Sequence, residues 1–106
     1  MAKVYIAGPM TGLPEFNFPA FHAAAAEWRA AGWEVMNPAD AFDGDATRPY
    51  KDYVDADLEM LATCDAIAML PGWDGPNARG AMWERAVARR FLNLSVLDAS
   101  VVVAPW

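Results

Sequence analysis

Cysteine, histidine and basic residues are scarce in this chain, and each scarcity removes a class of function. Cys64 is the only cysteine, so no intrachain disulfide forms and no multi-cysteine metal site exists. Its neighbours Leu61, Ala62 and Ile67 mark it as a buried structural thiol. His22 is the only histidine, which removes His-rich zinc sites and argues against a Ser-His-Asp triad. The 8 Lys plus Arg face 14 acids, giving a net charge of −6 and a pI near 4.5. Binding a nucleic-acid polymer through counterion release needs a basic stripe, so DNA and RNA polymers are not expected partners. A single nucleotide remains compatible with this charge. No apolar run reaches the roughly 18 residues that signal a membrane span. Val4–Ala7 stops at Gly8-Pro9, too short for a signal-peptide core. The expected location is cytoplasmic, with no membrane partner.

Apolar residues, by contrast, are abundant. The 106 residues are 56% hydrophobic and 21% charged, with mean hydropathy +0.08. This composition excludes intrinsic disorder and suits one domain over residues 1–106. Five Trp and six Met are too many for so small a core to hide. A buried homo-oligomer face, dimer or higher, is therefore expected.

The pattern alternates between strands and helices. Val4-Tyr5-Ile6-Ala7 reads as a strand ended by Gly8-Pro9, and residues 8–18 as a long loop. Pro19 suits a helix start; Phe21, Ala24, Ala25, Trp28 and Ala31 follow at helical spacing, with Gly32 as terminator. Trp33–Met36 is a second strand and residues 37–49 a second loop; a helix from about Pro49 to Thr63 follows. Ala66–Leu70 is unbroken and apolar, as a central parallel strand requires. After a third loop over 71–79, a helix from about Ala78 to Phe91 leads to a strand at Leu94–Leu97. Val101–Val103 is a candidate for one strand more. The predicted fold is α/β, a flavodoxin- or Rossmann-like three-layer α/β/α sandwich with a parallel sheet of four or five strands. The long loops all leave carboxyl ends of strands, where such sheets bind ligands.

Two acids stand where acids are costly. Asp57 lies within the stripe Val54, Leu58, Leu61, and Glu84 lies between Ala81, Val87 and Ala88, so both border inward faces. A buried carboxylate raises its pKa or finds a partner. Periodicity alone leaves a structural alternative open, with Asp57 capping a loop amide and Glu84 pairing with an arginine of its own helix. The loop Gly75–Ala81 offers free backbone N–H groups at a helix start, with Gly80 and Ala81 small enough for close approach. No GxGxxG and no Walker lysine accompany it. Arg79, Arg85, Arg89 and Arg90 are half of the 8 basic residues; Arg79 alone lies in the loop, where it could hold a phosphate. Phe16, Phe18 and Trp73 could stack on a base, or simply close the core.

These segments together resemble a known family. Tyr5-Ile6-Ala7-Gly8-Pro9, then Asp57-Leu58-Glu59-Met60-Leu61 with Cys64-Asp65-Ala66-Ile67, then Gly80-Ala81-Met82-Trp83-Glu84 are similar to the nucleoside 2-deoxyribosyltransferase superfamily. Gly12-Leu13-Pro14, Asn17-Phe18-Pro19-Ala20-Phe21 and Leu70-Pro71-Gly72-Trp73 resemble its small uncharacterised phage and bacterial branch. The resemblance implies N-glycosidic cleavage or transfer on a (deoxy)nucleoside or nucleoside 5′-monophosphate. It nominates Glu84 as nucleophile, Tyr5 as the group orienting it, and Asp57 as the acid near the leaving base. The candidate substrate-binding residues are then Gly8, Pro9, Met10, Phe16, Trp73, Asn77, Arg79 and Gly80. Transferases of the family carry a further acid six residues before the nucleophile, and its monophosphate hydrolases a serine. Ala78 holds that place here, which leaves the base and the 5′-phosphate open. No cofactor and no metal are implied. A non-catalytic nucleotide-binding module on the same fold is the alternative.

Overall fold

The computed structural model describes residues 2–44 and 49–106. Four strands form one parallel sheet: β1 (Lys3–Ala7), β2 (Glu34–Met36), β3 (Ala66–Met69) and β4 (Ser95–Asp98), in the order β2-β1-β3-β4. Helices α1 (Phe18–Ala30), α2 (Tyr50–Ala62) and α3 (Arg79–Arg90) connect them. Short 3₁₀ segments, Pro14–Asn17 and Pro38–Gly44, lie within the loops after β1 and β2. The architecture is flavodoxin-like, and its strand order reverses between β1 and β3.

Alternation along each strand divides the core into two layers. On one face Val4 and Ile6 of β1 and Ala66 and Ala68 of β3 pack with Phe21, Ala25 and Trp28 of α1. The small β3 residues leave room for the two large rings. On the other face Tyr5 and Ala7 of β1 and Ile67 and Met69 of β3 pack with Leu61 of α2 and Ala81 and Ala88 of α3. The register sets Tyr5 opposite Ile67 and Ile6 opposite Ala68, which keeps both alternations in phase. Cys64 is buried on the second face, and that burial pushes its thiol up to about 11.

The sheet has four strands, and Val101–Val103 does not add a fifth. Its backbone is engaged elsewhere. The Asp98 carboxylate accepts from the Ser100 amide at 2.9 Å and turns the chain at the end of β4. The tail then crosses the α1 side, where Trp28 Nε1 donates to Ala99 O at 3.0 Å and Trp33 Nε1 to Val103 O at 2.7 Å. The β-branched run is held by indole donors instead of a neighbouring strand. Among the described residues no helix is long and apolar enough to cross a membrane.

Candidate active site

Tyr5 points from the middle of β1 into the second layer and is fully buried. Its hydroxyl donates to Glu84 Oε2, from the second turn of α3. Glu84 is only 8% exposed. It therefore takes a tyrosine from the sheet as its partner, and not an arginine of its own helix. Asp57, on α2, brings a second carboxyl to the same place, and its Oδ1 is buried with no hydrogen-bond partner.

The electrostatics follow from this packing. Burial drives the Glu84 carboxyl up to about 8, with the neighbouring Asp57 charge adding to the rise and the Tyr5 hydrogen bond opposing it. Burial likewise drives Asp57 up to about 7, opposed by the Tyr5 hydroxyl. Tyr5 itself is raised, first by burial and then by the two carboxylates. Between about pH 7 and 8 the two carboxyls together hold one proton, the larger share of it on Glu84.

A cavity of about 260 Å³ opens beside these groups at the carboxyl ends of β1 and β3. Phe16, Phe18, Tyr53 and Trp83 give it aromatic walls, and Thr11 and Asn77 supply neutral polar groups. Among its described lining residues the charged ones are Asp57 and Glu84 alone. The loops after β1 and β3 are tied across it by Met10 N donating to Asn77 O at 3.1 Å. Phe16 reaches the cavity from a left-handed turn of three non-glycine residues, Glu15, Phe16 and Asn17, with φ of 53°, 53° and 61°. Each such residue costs about 1–2 kcal/mol. Asn17 offsets part of this by donating from Nδ2 to Pro9 O at 3.0 Å.

Of the sequence candidates, the cavity brings together Tyr5, Asp57, Glu84, Gly8, Met10, Phe16, Asn77 and Gly80. Gly8 also has a packing reason, since a Cβ there would stand 2.6 Å from Leu70 Cβ. At Gly80 a Cβ would meet nothing within 4 Å, so the missing side chain leaves the wall open. Pro9, Trp73 and Arg79 lie outside this wall. Pro9 packs near Gly72, Arg79 is exposed at the first position of α3, and Trp73 lines a neighbouring cleft with Arg85. Sequence reasoning passed over Thr11, Pro38 and Trp83 as wall residues. All but Trp83 belong to segments at the carboxyl ends of strands, and that rule alone could have found them. Among the described residues no three His, Cys, Asp or Glu side chains gather as a metal site would require.

The chain belongs to the DUF4406 family, a domain of unknown function, whose profile matches residues 2–98. No curated protein matches it. Solved structures do share the fold. The 2-deoxyribosyltransferase of the psychrotolerant bacterium Bacillus psychrosaccharolyticus is similar with a TM-score of 0.70 and 22% identity, over 90% of this chain and 69% of that one. The 2-deoxyribosyltransferase of Leishmania mexicana is similar with a TM-score of 0.70 and 20% identity, over 92% of this chain and 63% of that one. The chain thus spans about two thirds of the length of these structures.

Proposed function

We propose that this DUF4406 chain cleaves or transfers the N-glycosidic bond of a (deoxy)nucleoside or nucleoside 5′-monophosphate, with Glu84 as nucleophile. The observation that carries the reading is the cluster of buried Tyr5 and Glu84 with half-buried Asp57 at the base of an aromatic-walled cavity. The shared fold with two 2-deoxyribosyltransferases supports the same chemistry.

Near neutral pH the pair of carboxyls holds one proton. Glu84 titrates above Asp57, about 8 against about 7, so the form that reacts, with the charge on Glu84 and the proton on Asp57, is the less populated of the two and is helped by the Tyr5 hydroxyl donating to Glu84. Glu84 attacks C1′ of the sugar as the C1′–N bond breaks. The bonding pair leaves with the base, and Asp57 protonates it. The result is a glycosyl ester on Glu84 and a free base, the logic of a retaining glycosidase. Water then attacks C1′ and gives hydrolysis, or a second base attacks and gives transfer; either restores the Glu84 carboxylate. Phe16, Phe18 and Trp83 offer faces for a planar base. Exposed Trp83, Phe91 and Trp106 support a homo-oligomer, which light scattering would reveal.

The test is base release. Purified protein is incubated with ribo- and deoxyribonucleosides and their 5′-monophosphates, with and without a second free base, and analysed by chromatography. Base release or exchange that disappears in Glu84→Ala, with the fold retained, is the expected result. An active, folded Glu84→Ala would remove Glu84 from the chemistry. Tight binding with no release would instead identify a nucleotide-binding module.

A further inference from the structure

The Trp73 cleft is separate from the carboxylate cavity and has a different chemical character. It has a volume of about 440 Å³ and lies at the carboxyl ends of β3 and β4, on the far side of the first turns of α3. Glu84 and Arg85 are consecutive, so one helix presents an acid to the first cavity and a cation to the second. The Arg85 guanidinium carbon sits 4.7 Å from the centre of the Trp73 ring, a cation–π contact that fixes its plane. Arg85 Nε is buried without a hydrogen-bond partner. Among the described residues no carboxylate lies within ion-pair distance of Arg85, although the sequence has 14 acids. The buried Nε is shielded from a ligand, but among the described residues the terminal Nη groups have no hydrogen-bond or ion-pair partner, and their edge is suited to a carboxylate.

The rest of the cleft narrows the ligand. Val96, which packs with the second layer, supplies an apolar wall for a small carbon body, whereas the Leu97 side chain packs with the first. Asp74 and Asp98 also line it, both solvent-exposed. Asp98 Oδ1 is already engaged by the Ser100 amide and hydroxyl, at 2.9 and 2.6 Å, and these bonds hold the carboxyl below its usual range and ionised. Two acids near one arginine disfavour a dianion more than a monoanion. We propose that this cleft binds a small organic acid through a single carboxylate seated on Arg85, with the Trp73 ring holding the guanidinium in place.

The experiment is a ¹H–¹⁵N titration of the whole chain with sodium acetate, sodium phosphate and sodium chloride at matched ionic strength. Acetate is expected to shift the Trp73 Nε1–H and Arg85 Nε–H signals saturably, and chloride is not. Arg85→Gln should weaken acetate binding about tenfold or more, as loss of a charge-assisted pair requires. Asp74→Ala should tighten it by relieving repulsion, and serves if Arg85→Gln fails to fold. Glu84→Gln should leave it unchanged, since that carboxyl faces the other cavity. Absence of a saturable acetate shift, an equal response in folded Arg85→Gln, or tighter binding of phosphate than of acetate would each overturn the proposal.

Discussion

The two faces of the sheet are built from alternate residues of the same strands, yet they do opposite things with burial. Under α1, Val4, Ile6, Phe21, Trp28 and Trp33 form a hydrocarbon layer whose two indole donors are satisfied by Ala99 O and Val103 O. Under α2 and α3, the same strand β1 contributes Tyr5, and the helices contribute Asp57 and Glu84. The first layer gains stability from every group it hides, at about 1.5–3 kcal/mol for a large side chain. The second hides carboxyls at the expense of their hydration, and the raised pKa values of both record that cost. One face holds the fold together; the other uses part of that stability to keep two acids in a protonation state they would not have in water.

Mutations should separate the faces. Trp28→Ala removes the largest fully buried side chain, lies wholly in the first layer, and is expected to cost about 3–5 kcal/mol in urea denaturation. That is a large part of the roughly 5–15 kcal/mol available to a domain. Opposite behaviour is expected of Glu84→Gln and Asp57→Asn. Both carboxyls titrate higher folded than unfolded, so the folded protein holds more protons between about pH 4 and 8 and loses stability as pH rises through that window. Amides titrate in neither state. Each substitution should therefore raise stability over the parent at pH 8.5, by on the order of 2 kcal/mol, and change it little at pH 5. If both destabilise at both pH values, the second face is ordinary core and the contrast fails.

The catalytic pH profile sharpens the same comparison. Activity should be bell-shaped with limbs near 7 and 8, where the pair passes through its singly protonated form. In Asp57→Asn the residual rate should lose its basic limb, because no second acid remains to titrate, and should level off once Glu84 has ionised. The smallest effect belongs to the strained turn at the cavity mouth. Glu15 is exposed at φ 53°, so Glu15→Gly relieves left-handed strain and should stabilise by about 0.5–1 kcal/mol after the added chain entropy of glycine. A melting curve checks this.

The fold was legible because alternation and helical spacing are local properties, and strand and helix bounds fall within a residue or two of those read from the pattern. Val101–Val103 shows where local reading stops. Its β-branched residues suit a strand, but the indoles of Trp28 and Trp33 fix the surrounding segment. In the candidate site, Asp57 and Glu84 stood out as acids on inward faces. Tyr5 did not, since a tyrosine in a strand is ordinary core until a carboxylate is found beneath its hydroxyl; only the family resemblance singled it out. Trp73 shared a loop with Asn77, close before Gly80 at the start of α3, and nothing local distinguished them. The turn at Gly72, with φ 87°, and the stack on Arg85 place Trp73 in the other cleft. Such a separation depends on which side of α3 a side chain reaches, and loop sequence does not encode it.

The most direct test of the account is to catch the ester on Glu84. Protein incubated with the nucleoside or nucleotide that releases base fastest is quenched in acid, digested and analysed by mass spectrometry. A sugar mass is expected on the peptide carrying Glu84, absent in Glu84→Gln. Rapid base release with no adduct at Glu84, or an adduct on another residue, would contradict it.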